Sequence, residues 1–163
     1  MGCASDHLRK RQLFEAWLRH HESYAITLSE SGQPLHVMEA VKGIADLVSK
    51  QGSTEYIYLL VEQQAGEVVP AYIGKSKNPV RRWTSHLKNL QVGEKAYARW
   101  QARLLDEGLV RHPLKLYVIG QDQVHGPPIP NFPTTIGAIE YQLIGLAADA
   151  FVPRLLNSEG QAR

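Results

Sequence analysis

Ala71-Tyr72-Ile73-Gly74-Lys75-Ser76-Lys77-Asn78-Pro79-Val80-Arg81-Arg82-Trp83-Thr84-Ser85-His86 is the stretch from which the rest of the chain can be read. A short β-like run ends at Gly74, where the glycine is expected to turn the chain. Asn78-Pro79 then has the chemistry of a helix start. The asparagine side chain can cap the first free N–H groups, and a proline at the first helical position gives up an N–H that has no partner anyway. On that helix Arg82 and His86 are four residues apart, so both leave from one face. A turn, a cap and two aligned phosphate-competent side chains suggest contact with a phosphate.

Bulk properties narrow the class. At 163 residues the chain is one domain by length, with room for a real core and a small helical extension. Composition is that of an ordinary soluble protein, 44% hydrophobic and 21% charged. No apolar run approaches the roughly 18 residues of a membrane span, so no membrane partner is expected. The opening Met1-Gly2-Cys3-Ala4-Ser5-Asp6 lacks the Ser or Thr that myristoylation wants at position 6, and no apolar stretch precedes Cys3. A single cysteine excludes an internal disulfide framework and suits a reducing cytoplasm, the expected location. Without cysteine pairs or HExxH-type spacing, zinc is not expected. His20-His21 falls near a helix end, where an imidazole is favoured by the dipole.

Charge is unevenly spread. Lys75, Lys77, Arg81, Arg82, Lys88, Lys95, Arg99 and Arg103 face a single acid, Glu94, within one segment, while the whole chain carries only +2. A local cationic face on a near-neutral protein suits a phosphate backbone, because neutralised phosphates release counterions. A solvated helix face is the plainer alternative.

Residues 6–21 read as a helix capped by Ser5, with Phe14, Trp17 and Leu18 on one side. Tyr24 to Leu28 is a candidate short strand. Pro34 starts a second helix to about Lys50, with a buried stripe of Val37/Met38, Val41, Ile44/Ala45 and Val48, and Gly52 as its stop. Residues 1–52 are thus an α-rich extension. At Glu55 the pattern changes: Tyr56-Ile57-Tyr58-Leu59-Leu60-Val61 suits a buried strand. A turn at Gln63 to Glu67 and a return strand from Val68 to Ile73 make a hairpin that brings Tyr58 near Tyr72. The helix from Pro79 buries Val80, Trp83, Leu87 and Leu90, with Arg82 and His86 on a flank. A second basic helix is expected from Glu94 to Asp106, apolar at Ala98, Ala102 and Leu105 and stopped by Gly108. A third strand spans Leu114 to Ile119. A proline-rich loop leads from Gly126 to Pro133, and Thr134 or Thr135 caps a last helix to about Ala148. The domain formed by residues 53–160 is therefore α+β, a small sheet flanked by helices.

Hydrolysis of a phosphodiester needs an activated water, neutralisation of the phosphate and support for the leaving oxygen. One carboxylate can hold a divalent metal that retains waters and substrate oxygens, and arginine offers a planar fork. Glu140 lies on or beside the apolar face formed by Ile136, Ile139, Leu143 and Ala147. A carboxylate there is costly unless paired, by a metal, by Arg82 or by a backbone amide. Tyr58 and Tyr72 are core aromatics by default. Their usual pKa near 10 makes them poor bases unless cations such as Lys75 and Arg82 lie close.

Taken in order, these residues resemble the GIY-YIG endonuclease superfamily over about residues 55–158. Tyr56-Ile57-Tyr58 corresponds to the first motif, Tyr72-Ile73-Gly74 to the second. Arg82 corresponds to the family's helix arginine, His86 to a frequent histidine, Glu140 to the metal-binding glutamate, Asn157 to the asparagine near the end of the core, and Lys75 to a lysine present in some members. Tyr56 departs from the pattern, replacing a backbone glycine with a bulkier group. The resemblance implies a catalytic set of Tyr58, Tyr72, Lys75, Arg82, His86, Glu140 and Asn157, with Mg²⁺ on Glu140 and Mn²⁺ as a substitute. It implies a tyrosine general base, for which Tyr58 is preferred. His86 is expected to orient that tyrosine or to protonate the leaving oxygen. The partner would be DNA, duplex or branched.

Two functions follow. One is an endonuclease, restriction-like or structure-selective, since no helix-turn-helix or zinc pattern supplies a separate targeting domain. A homodimer through the striped helices at 6–21 and 34–50 is one arrangement. The alternative is a non-catalytic nucleic-acid-binding or interaction module that has kept the fold. It differs in binding DNA without metal-dependent cleavage.

Overall fold

The computed structural model describes residues 2–157, with side chains from residue 5 onward. The expected domain end at residue 160 and the Cys3 side chain lie outside the described part. In chain order the elements are α1 (Gly2–His20), β1 (Ala25–Ser29), α2 (Val37–Gln51), β2 (Tyr56–Gln64), β3 (Glu67–Ser76), α3 (Pro79–Val92), α4 (Tyr97–Leu104), β4 (Leu105–Asp106), β5 (Leu109–Val110), β6 (Leu114–Gly120) and α5 (Ile136–Ala150). Short 3₁₀ turns follow α1 and β6.

The main sheet has the order β1-β6-β2-β3, with every neighbouring pair antiparallel. Central β2 is covered on both faces, which is why its sequence is a continuous apolar run rather than an alternation. Tyr56, Tyr58 and Leu60 point to one face and pack with α2, α3 and α4 residues such as Ile44, Trp83, Leu87 and Trp100. Ile57, Leu59 and Val61 point to the other, against Phe14 and Trp17 of α1 and Ile139 and Leu143 of α5. The architecture is α+β: a sheet between two helical layers. Both striped N-terminal helices are spent within the chain. Their apolar faces cap the sheet and pack on α5 and α3.

Several local readings are met by the structure. The Ala65-Gly66 turn has φ of 50° and 81°, the left-handed pair of a two-residue hairpin. Asn78 accepts from the Arg81 N–H at 3.1 Å, and Thr135 caps α5 through the Ala138 N–H. Gly52 ends α2 in the left-handed conformation.

Other readings are corrected. Helix α1 begins at Gly2, so Ser5 lies inside it instead of capping it. Strand β1 joins β6, which makes the N-terminal segment part of the same sheet. Helix α2 starts at Val37; Pro34 forms an isolated bridge with Leu109, and Met38 is exposed while Ala40 is buried. Helix α4 ends at Leu104 and buries Trp100 and Leu104, leaving Ala98 and Ala102 outside. Glu107-Gly108, with φ of 52° and 83°, turns a small β4-β5 hairpin where a helix stop was expected. The aromatic anchors of this short helix outweigh its alanine stripe, since burying an indole removes far more apolar surface.

Gly74 is also corrected. It sits within β3, opposite Tyr58, and does not turn the chain. Its missing side chain has a packing reason: a Cβ would lie 2.6 Å from Cε1 of Tyr58 and 3.0 Å from its hydroxyl. The glycine makes room for the tyrosine ring.

Candidate active site

Strand register determines which residues meet. Tyr58 lies opposite Gly74, and Leu60 opposite Tyr72, so the two tyrosines occupy diagonal positions on one face. Their rings stack with centroids 6.2 Å apart. Tyr58 is 1% exposed and its hydroxyl donates to the Lys75 carbonyl at 3.3 Å. Burial, reinforced by Tyr72, pushes its pKa well above the ordinary tyrosine range, with Arg82 opposing. That environment argues against the expected preference for Tyr58 as a base. Tyr72 is half-buried. Tyr56, the departure from the family pattern, is buried under α2, where its hydroxyl reaches the Val48 carbonyl at 3.5 Å. The bulkier side chain is absorbed by packing.

Helix α3 contributes Arg82, exposed, and His86, which is buried and not on a flank. Gly93 and Lys95, with φ of 74° and 56°, fold α4 back on α3. Gln101 then fastens the pair by donating to the carbonyls of Leu90 at 2.8 Å and Gln91 at 3.0 Å. The result brings Tyr97 and Trp100 onto His86, whose ring stacks on Trp100 and meets Tyr72 and Trp83 edge to face. Burial, helped by the charge of Arg82, lowers the His86 pKa to about 4. A neutral imidazole of that kind is unsuited to protonating a leaving oxygen at pH 7. Orientation is the role that remains for it.

The carboxylate side of the site comes from the opposite layer. Lys75 lies opposite Ile57, on the face that α5 covers, and its Nζ would be 3.8 Å from a Cβ on Gly137. Glu140, one helical turn further on, is half-buried. Its carboxyl is raised above the usual range by desolvation first and by Glu55 as well, with Lys75 opposing. The cation beside Glu140 is thus Lys75, where Arg82 had been one candidate. Lys75 also pairs with Glu55 at 3.9 Å. The charges of Arg82 and Glu140, from the two layers, both bear on Tyr58, in opposite senses.

Asn157 takes a different place. It is buried, its Oδ1 accepts from Ile73 N–H at 2.8 Å, and its amide donates to the Ile73 carbonyl. With Leu156 N–H on the Ala71 carbonyl at 2.7 Å, the Leu156-Asn157 segment pairs with the free edge of β3. Asn157 therefore positions the strand that carries Tyr72 and Lys75.

Of the eight cationic residues, Lys75, Lys77, Arg81, Arg82, Lys88, Lys95 and Arg99 are exposed. Arg103 is withdrawn from that set. It pairs with buried Glu62 at 3.3 Å and donates to the carbonyls of Pro70 and Arg154.

Sequence reasoning missed Glu55, Tyr97 and Trp100. Glu55 precedes Ile57 by two residues, so strand alternation alone would have put it on the Lys75 face. Tyr97 and Trp100 carried a three-residue helical spacing hidden by the overextended helix assigned there.

The family model described as GIY-YIG catalytic domain matches residues 54–119. Over these residues the chain matches a GIY-YIG catalytic domain, in keeping with the resemblance read from its motifs. The match contains Tyr58, Tyr72, Lys75, Arg82 and His86, whereas Glu140 and Asn157 lie beyond it. No curated protein and no solved structure gave a significant match.

Proposed function

We propose that the protein is a divalent-metal-dependent DNA endonuclease, restriction-like or structure-selective, acting as a phosphodiester hydrolase. The observation that supports this reading is the register of β3, which carries Tyr72 on the face shared with His86 and Lys75 on the face covered by α5, beside Glu140.

The donor set fits Mg²⁺, with Mn²⁺ as a substitute. Glu140 is half-buried, with the charges of Lys75 and Glu55 close enough to bear on its carboxyl. Among the described residues no cluster of three metal-binding side chains exists. A single hard oxygen ligand suits an ion that keeps most of its waters, with Glu55 nearby as additional negative charge. When bound, such an ion supplies neutralising charge to the phosphate and the leaving oxygen.

The remaining work falls to the chain. Arg82 offers its fork to a non-bridging phosphate oxygen. Lys75, held between Glu55 and Glu140, presents a second cation. Tyr72, being half-buried beside Arg82-flanked His86, is better placed than buried Tyr58 to take the proton of the attacking water. Tyr58 fixes the backbone at Lys75 through its hydroxyl. The exposed lysines and arginines of α3 and α4 follow the DNA backbone.

Plasmid cleavage with Mg²⁺, with EDTA and with E140A tests the proposal. Metal-dependent cutting by wild type and none by the folded variant support it. Salt-sensitive DNA binding without cleavage of any duplex, nicked or branched substrate favours the alternative, a binding module that has kept the fold.

A further inference from the structure

Six rings gather on the α3 side of the sheet, those of Tyr58, Tyr72, Trp83, His86, Tyr97 and Trp100, and Tyr97 meets His86 through a polar contact. The Tyr97 hydroxyl lies 2.7 Å from Nδ1 of His86. The other ring nitrogen, Nε2, is buried and without a partner. On the same helix face the Asn89 amide donates to the Ser85 hydroxyl at 3.2 Å. The hydroxyl carries one proton, and Nδ1 is the acceptor the structure sets before it. A neutral imidazole has one proton, and an acceptor at Nδ1 puts it on Nε2.

We infer that Tyr97 is a positioning residue for the proposed hydrolysis: it fixes His86 as the Nε2–H tautomer and holds that ring edge-on to Tyr72. The inference rests on the nuclease reading of the site. The buried Nε2 has no partner, a cost of about 1–3 kcal/mol that a gain in function would offset. Here the gain is a fixed N–H dipole beside the tyrosine that must carry negative charge. A neutral donor does this without competing for the proton. The charged and titratable groups around His86 are Arg82, Tyr72 and Tyr97. Low His86 basicity agrees with the geometry, because a charged imidazolium would need Nδ1 as a donor too. Tyr97 lies on α4, which Gln101 fastens to α3, so the hydroxyl is held by the backbone and not by a mobile side chain alone.

Nitrogen-15 NMR of wild type reads the tautomer directly, and needs no variant. Single-turnover cleavage by wild type, Y97F, H86Q and the Y97F/H86Q double variant reads the consequence, with a thermal melt to verify folding. The expected results are an unprotonated, hydrogen-bonded Nδ1 in wild type and a mixed tautomer in Y97F. Y97F should lower kcat by at least about tenfold with KM unchanged, as loss of an orienting partner does. Adding Y97F to H86Q should cost nothing more, since the effect runs through His86. A wild-type proton on Nδ1, or an equal Y97F penalty in both backgrounds, overturns the inference. A wild type that cuts no DNA with any divalent cation would remove the nuclease reading, and the tautomer measurement would still decide what Tyr97 does.

Discussion

The Asn157 side chain satisfies both backbone groups of Ile73, accepting from its N–H at 2.8 Å and donating to its carbonyl. β3 is an edge strand, and an edge residue that is fully buried has no water to turn to. N157A leaves both groups orphaned and should cost about 2–6 kcal/mol, because each buried unpaired group is penalised by about 1–3 kcal/mol. Urea denaturation measures this. Unchanged stability with lost cleavage would instead put the amide on the substrate.

Gly74 and Tyr58 are coupled by space. G74A places a methyl 2.6 Å from the Tyr58 ring, whose motion is limited by Trp83 at 5.4 Å between centroids. Overpacking of this kind costs about 1–3 kcal/mol. The displaced ring should also release the Lys75 carbonyl, so cleavage should fall more than stability predicts. A variant as stable and active as wild type would show that the ring relaxes freely.

The two buried histidines make the fold acid-sensitive. His21 hydrogen-bonds the Trp17 carbonyl through Nδ1 at 2.7 Å and accepts the His125 N–H at Nε2 at 2.9 Å, which only the neutral ring can do. Burial lowers its pKa to about 4, with the charges of His125 and His20 acting the same way. The expected helix-end histidine thus bonds a last-turn carbonyl, but as a neutral clasp on the loop before α5. Since the ring titrates near 6.5 when unfolded, its contribution is complete above that pH and drains away as pH falls from about 6.5 to about 4. His86 shares the window. Each contributes roughly 3 kcal/mol by linkage. Thermal melts from pH 7 to 4.5 should show a shallower decline for H21Q than for wild type. Identical slopes would contradict the buried clasp.

Arg103, paired with Glu62, is structural charge, distinct from the exposed cations proposed to follow DNA. Glu62 is 1% exposed, and R103A leaves it unpaired, at about 3–5 kcal/mol. R82A and K88A, on exposed positions, should stay within about 0.5 kcal/mol of wild-type stability while weakening DNA binding and reducing its salt dependence. Denaturation alongside a binding titration at several salt concentrations distinguishes them. Intact stability in R103A with lost binding would return Arg103 to the DNA face.

What the sequence revealed follows from range. Asn78-Pro79, Thr135, Gly52 and the Ala65-Gly66 turn act on their own few residues, so their chemistry is readable locally. The tyrosine pair was legible because hairpin register is local as well. Glu55, Tyr97 and the partners of Asn157 were not, since each acquires meaning from a residue on another element. Gly74 shows the same limit: glycine suggests a turn locally, and only the Tyr58 ring across the strand explains it. Arg103 looked like part of a basic face until the buried carboxylate beneath it was placed.

The central claim is that Glu140 supports metal-dependent cleavage at the end of β3. The most direct measurement is single-turnover cleavage of a mixed DNA library across a Mg²⁺ titration, wild type against E140Q, with both proteins verified as folded. The account predicts cleavage that saturates with Mg²⁺ in wild type and a loss of at least about 100-fold in E140Q, on the scale of removing a principal charge-stabilising group. Cleavage by E140Q with wild-type rate and Mg²⁺ dependence would contradict it.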